Sequence, residues 1–181
     1  MTKSIAITGH TQGIGSAIYE RLGYSGYQCK GYSRSTGWDI VAQHKQLLKE
    51  IESADIFVNN AHDGYAQTNL LVDLWPKWRL QEKIIVNISS VNRYPGLSAN
   101  TSGYSAQKAA LSHQAFIFMF KDTERKCRII NINPGFVRTQ MTAGRDVNML
   151  EPKDVAEAVA WAIHAPKHIE IGEIGIWPTS I

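Results

Sequence analysis

Thr8-Gly9-His10-Thr11-Gln12-Gly13-Ile14-Gly15 is the stretch on which the fold turns. It follows the strand-like run Ser4-Ile5-Ala6-Ile7 and opens a helical stretch near residues 14–22. Glycines in such a turn let backbone come close to a pyrophosphate. The helix N-terminus adds unpaired N–H groups and the positive end of its dipole. Strand, glycine turn and helix in this order are the pattern of a dinucleotide-binding unit. Taken by itself the stretch also reads as a glycine-rich turn with no ligand.

Working outward, short apolar runs at 5–8, 27–32, 55–59, 83–89, 127–132 and 173–177 read as strands buried on both faces. Helical stretches lie between them near 14–22, 41–53, 67–80, 103–122 and 153–164. Strand–helix alternation predicts an α/β fold, a doubly wound parallel sheet of about six strands with helices on both faces. Only eight residues, 33–40, separate the second strand from the next helix. A parallel crossover takes a dozen or more, so no further strand-and-helix unit fits there. With no repeat or linker, residues 1–181 read as one domain.

The totals narrow the classes. The 181 residues are 44% hydrophobic and 19% charged, with a net charge of +3. That charge is too mild and too scattered to argue for nucleic acid or a membrane surface. No apolar run is long enough to span a bilayer, and no signal peptide is expected before the first strand. Cys29 and Cys127 lie in apolar runs and read as structural thiols, which points to a cytoplasmic protein. No metal site is expected.

Two local features bear on chemistry. A dinucleotide binder that takes NAD carries an acid after its second strand to hold the ribose 2′-hydroxyl. Here Tyr32-Ser33-Arg34-Ser35 offers hydroxyls and a guanidinium fork suited to a 2′-phosphate, so NADP is expected over NAD, unless Arg34 is a solvated loop cation. Further on, Tyr104 and Lys108 stand four residues apart on one helical face. An ammonium one turn from a phenol favours the phenolate and is expected to lower the Tyr104 pKa. Ser89-Ser90 ends the preceding strand, at the sheet edge where such folds gather ligands.

Taken in order, the glycine turn, Asn59-Asn60-Ala61, Asn87-Ile88-Ser89-Ser90, Tyr104 with Lys108, and Asn133-Pro134-Gly135-Phe136-Val137-Arg138-Thr139 closely resemble the short-chain dehydrogenase/reductase family. The resemblance runs along nearly the whole chain and implies an NAD(P)-dependent oxidoreductase that interconverts a carbonyl and a secondary alcohol. Tyr104 would be the acid/base, Lys108 would lower its pKa and hold the nicotinamide ribose, and Ser90 rather than Ser89 would bond the substrate oxygen. Cofactor contacts are implied at Gly9, Thr11, Gln12, Ile14 and Gly15 in the turn, and at Ser33 and Arg34 after the second strand. Asp39 and Ile40 would contact adenine, Asn60 and Ala61 would line the adenosine ribose, and Pro134, Gly135, Val137 and Thr139 would embrace the nicotinamide.

The chain departs from the family pattern in four places. It is short between the second strand and Asp39. His62 stands where the family has a glycine beside the cofactor, and must either point away or join the site. The helix after His62 should carry a catalytic asparagine, for which Asn69 is the candidate. The stretch after Thr139 is too short for a full substrate lid, which suggests an open site. The apolar segment Phe116-Ile117-Phe118-Met119-Phe120, with Leu74, Trp75, Trp78 and Leu80, is expected to pair across a two-fold axis in a homodimer or homotetramer; the alternative is that the two helices bury each other within one chain. The competing functional readings are an idle NADP(H)-binding sensor and, from the same fold, a lyase or epimerase.

Overall fold

The computed structural model of the chain describes residues 2–95 and 103–179. Six strands, β1 (Ser4–Thr8), β2 (Gln28–Tyr32), β3 (Ile56–Asn59), β4 (Ile84–Ile88), β5 (Arg128–Pro134) and β6 (Glu173–Ile176), form one sheet. Among the described residues the α-helices are α1 (Gly13–Tyr24), α2 (His44–Glu52), α3 (Ala66–Trp78), α4 (Gly103–Lys121) and α5 (Pro152–His164). The sheet order is β2-β1-β3-β4-β5-β6 and every pairing is parallel. The predicted α/β class, strand number and connectivity are those observed.

Side-chain alternation along the strands makes two cores. Ile5, Ile7, Ile56, Val58, Val86 and Ile130 point to one face, where α1 and α5 cover them with Ile18, Leu22, Val155 and Val159. Ala6, Phe57, Ile85 and Ile129 point to the other, beneath Leu47, Leu70, Leu74, Trp78, Leu111 and Ala115 of α2, α3 and α4. Each large apolar side chain so buried stabilises the fold by about 1.5–3 kcal/mol relative to exposure. Slipping any strand by one residue would exchange the two faces, so the register is held from both sides.

The short connection after β2 has a clear structural result. Residues Arg34–Thr36 make a single 3-10 turn, and the chain then enters α2 without another strand. α2 begins at His44 rather than near 41 because the Asp39 carboxylate accepts the Val41 and Ala42 N–H groups at 2.8 and 2.9 Å, holding 41–43 as turns. β2 is therefore the sheet edge, and β3 returns to the far side of β1. The chain runs outward in opposite directions from β1 and β3, and a crevice opens at the carboxyl ends of these strands.

No helix among the described residues is long and apolar enough to cross a membrane. Leu74, Trp75 and Trp78 are buried in their own chain, and Trp75 stacks on Phe118 with ring centroids 4.9 Å apart. Those residues are not free to meet a partner. The apolar side chains left exposed on α3 and α4 are Val72, Ile117 and Phe120.

Candidate active site

The glycine turn is packed as its glycines require. Gly9 and Gly13 have positive φ, 71° and 55°, a backbone region in which side chains are strained. A Cβ on Gly15 would fall 2.1 Å from the Gly9 carbonyl oxygen and 2.6 Å from the Asn60 amide, so only glycine lets α1 start this close to β1. Thr8 Oγ1 accepts the Asn60 and Ala61 N–H groups at 3.0 and 3.1 Å, and Asn60 Nδ2 donates to the Thr8 carbonyl at 2.9 Å. The ends of β1 and β3 are thus locked together, and the side chain of Asn60 braces the turn. Thr139, after β5, lies against Gly13, where an added Cβ would be 3.2 Å from its methyl group.

The start of α1 suits an anion. Gln12 makes no side-chain cap there, and no acid stands in the first turn. The exposed hydroxyl of Ser35 donates to Thr11 Oγ1 at 3.1 Å, which stitches the 3-10 turn after β2 to the glycine turn. Ser33 is buried and bonded to Ser35 at 2.9 Å, while Arg34 is exposed beside them. A glycine turn at a helix N-terminus with a neighbouring guanidinium could hold the phosphates of a dinucleotide. Ile40 is buried and lines a cleft of about 550 Å³ between α2 and the start of α3. Pro134 and Val137 are buried, and the Gly135 N–H donates to the Ile176 carbonyl at 2.8 Å, so the segment after β5 is tied to β6.

Ser90, Tyr104 and Lys108 come together at the end of β4 and along α4. Tyr104 shares a hydrogen bond with the Ser90 side chain. Ser89 instead faces inward, donating to the Lys108 carbonyl at 3.2 Å and bonding Ser112 at 3.0 Å. Lys108 is fully enclosed, and its Nζ donates to Gln67 Oε1 at 2.7 Å and to the Ile88 carbonyl at 2.8 Å. Burial lowers its pKa to about 7. Tyr104 departs from expectation: burial pushes its phenol above the usual value, and only the Ser90 hydrogen bond acts the other way. The reason is that the lysine is itself desolvated and aimed at Gln67, with its nitrogen 5.5 Å from the tyrosine ring centre.

Gln67 is the site residue that sequence reasoning missed. Its Nε2 donates to the Asn59 and Ile88 carbonyls at 2.6 and 3.2 Å, which leaves Oε1 turned toward Lys108. Asn69, the candidate read from the sequence, is exposed on the other side of α3 and lines the 550 Å³ cleft. Beneath Gln67 an amide ladder crosses the sheet. Asn59 donates to Asn87 at 3.1 Å and Asn87 to Asn131 at 3.0 Å, each pair in register on adjacent strands. His62 points inward, its ring edge-on to Tyr104 with centroids 4.9 Å apart.

A doubly wound parallel sheet with a glycine turn at its switch point defines a nucleotide-binding Rossmann-type fold. A family model described as short chain dehydrogenase matches residues 74–149. An uncharacterized oxidoreductase of Staphylococcus aureus (strain USA300) is 36% identical over 98 residues, which cover 52% of this chain and 42% of that protein. A Staphylococcus saprophyticus protein also described as an uncharacterized oxidoreductase is 33% identical over 98 residues, 52% of this chain and 41% of its own. The matched stretch thus spans less than half the length of these curated relatives. A 3-ketoacyl-(acyl-carrier-protein) reductase from Brucella melitensis, solved with NADH, superposes with a TM-score of 0.79 at 18% identity over 97% of this chain and 96% of its own. A short chain dehydrogenase from Burkholderia cenocepacia J2315, solved with NADP, gives 0.79 at 19% over 97% and 89%. Over residues 74–149 the chain is similar to short chain dehydrogenases, and the solved structures share its fold.

Proposed function

We propose that this chain is an NADP-preferring oxidoreductase that interconverts a carbonyl compound and a secondary alcohol. The observation that carries the reading is the meeting of Ser90, Tyr104 and Lys108 at the carboxyl edge of the sheet, two strands from the glycine turn. A reduced nicotinamide held at that edge supplies the hydride. Gly9, Thr11, Gln12, Ile14 and Gly15 would hold its pyrophosphate, Ser33 and Arg34 its 2′-phosphate, and Asp39, Ile40, Asn60 and Ala61 its adenosine. Pro134, Gly135, Val137 and Thr139 would flank the nicotinamide.

In this reading Tyr104 gives its proton to the carbonyl oxygen, and Ser90 holds that oxygen by a hydrogen bond. The raised phenol pKa suits the role, because a proton donor must be protonated at neutral pH. Lys108 has three N–H donors and uses two on Gln67 and Ile88, leaving one for a ribose hydroxyl. Calorimetric titration with NADPH and NADH tests the cofactor half of the reading. Tighter binding of NADPH is expected, and equal affinities would defeat the stated preference.

A second reading, an NADP(H)-binding sensor without turnover, is favoured by one observation. The Lys108 ammonium is capped by Gln67 and does not act on Tyr104 as a close cation. An oligomer joined through α3 and α4 and a cytoplasmic location complete the proposal. The exposed Val72, Ile117 and Phe120 support the first, and the free thiols Cys29 and Cys127 support the second.

A further inference from the structure

His10 belongs to the glycine turn, yet its ring turns back onto β2. A Cβ on Gly31 would fall 2.1 Å from His10 Cγ and 2.4 Å from Nδ1, so the ring lies where a side chain at position 31 would stand. Gly31 pairs in register with Ile7, on the face of the sheet that α1 covers. From α1 the Tyr19 ring closes the slot, its centroid 5.3 Å from that of His10, and the Tyr19 hydroxyl donates to the Cys29 carbonyl at 3.3 Å. One residue earlier, the Gly9 N–H donates to the Tyr32 carbonyl at 2.7 Å. The turn is therefore fastened to the end of β2 twice, by a backbone bond and by a ring seated on a glycine.

We propose that His10 is a positioning residue for the dinucleotide: its ring, seated on Gly31, fixes the path of the turn from β1 into α1. It thereby sets the aim of the N–H groups that open that helix. The inference rests on the dinucleotide-binding part of the proposed function and deepens it. His10 stands between Gly9 and Gly13, both at positive φ. Glycines carry more conformational freedom than other residues, and a ligand that orders them bears the cost. A ring clamped between the two removes part of that freedom before the ligand arrives. The same contact accounts for Gly31, since a glycine inside a strand marks the close approach of another group.

The ring acts by shape and not by charge. Burial lowers its pKa below 6.5, and the neighbouring Tyr32 carbonyl, acting the other way, is the smaller influence. Its Nδ1 is buried and makes no hydrogen bond among the described residues. A neutral ring brings no charge to a phosphate, so its effect should fall equally on NADPH and NADH. That separates it from Arg34, whose guanidinium would bear on the 2′-phosphate alone.

Calorimetric titration of NADPH and of NADH into the wild type and its variants tests the pairing, with circular dichroism to check that each variant is folded. His10→Ala should weaken both dinucleotides by about tenfold, because an unclamped turn must be ordered on binding. His10→Phe, which keeps a ring and has no nitrogen, should restore both. Gly31→Ala should weaken both as His10→Ala does, since its methyl group takes the place of the ring. The double variant, His10→Ala with Gly31→Ala, should bind no worse than either single one, because the methyl group then enters an empty slot. If Gly31→Ala does not fold, the two single variants at His10 decide the matter. Wild-type affinity in His10→Ala, a loss confined to NADPH, or losses that add in the double variant would overturn the proposal and leave the functional reading standing. So would a His10→Phe protein as weak as His10→Ala. A wild-type protein that binds neither dinucleotide sinks the functional reading and the inference with it.

Discussion

Replacing Lys108 by methionine should change how stability depends on pH, by an amount the structure sets. An unfolded lysine titrates near 10.4, whereas the enclosed Lys108 titrates at about 7. Its folded pKa is depressed, so between those values the unfolded chain binds more protons and stability rises with pH. At pH 7 the folded lysine is half protonated, and by pH 9 it is neutral while the unfolded one remains charged. Integrating the proton difference over this window gives about 1.7 pH-equivalents, or about 2 kcal/mol. Other shifted groups, such as the Cys127 thiol that burial pushes up to about 12, contribute alike to both proteins and cancel in the difference. Urea unfolding of wild type and Lys108→Met at pH 7 and pH 9 reads the effect. The wild-type midpoint should gain on the variant by about 1 M urea, given slopes of roughly 1–3 kcal/mol per molar. A difference that stays flat across this window would refute the reasoning, because it would mean that Lys108 keeps an ordinary pKa inside the protein.

The amide ladder gives a second prediction. Asn87→Val leaves Asn131 Oδ1 without its donor and removes an acceptor from Asn59. The cost should be about 2 kcal/mol and a fall in Tm of about 4–8 °C by calorimetry. Arg34→Ala should weaken NADPH binding roughly tenfold to a hundredfold and leave NADH binding unchanged, as measured by calorimetric titration. Light scattering at micromolar concentration should give a multiple of the single-chain mass. A single-chain mass there would mean that the pairing of Trp75 with Phe118 inside the chain is all that α3 and α4 provide.

The sheet was legible because its four inner strands are buried on both faces and read as largely apolar runs. The edge strands β2 and β6 are only partly buried, against the expectation for them. The missing unit after β2 was legible as well, since eight residues cannot hold a crossover. The site was legible where spacing fixes it: Tyr104 and Lys108 lie one turn apart on α4, and Ser90 closes β4. Gln67 was missed, yet a signal for it exists. Residues 67, 70, 71, 74 and 78 form the inward stripe of α3, all buried, and position 69 falls on the opposite side of a helix with 3.6 residues per turn. Helical phase, applied to polar residues as to apolar ones, would have chosen Gln67 over Asn69. The Tyr104 pKa was not legible. Proximity in sequence says that an ammonium lies one turn away, but not that it is desolvated and engaged elsewhere. The direction of His62 depends on how the loop after β3 turns, which no periodicity records.

The central claim is that Tyr104 is the proton donor of a nicotinamide-dependent reduction. NADPH oxidation against a panel of carbonyl compounds, for wild type and Tyr104→Phe, tests it most directly. The account predicts turnover of some carbonyl by the wild type, none by the variant, and equal NADPH binding by both. Turnover retained in Tyr104→Phe, or NADPH bound by both with no turnover by either, would contradict it.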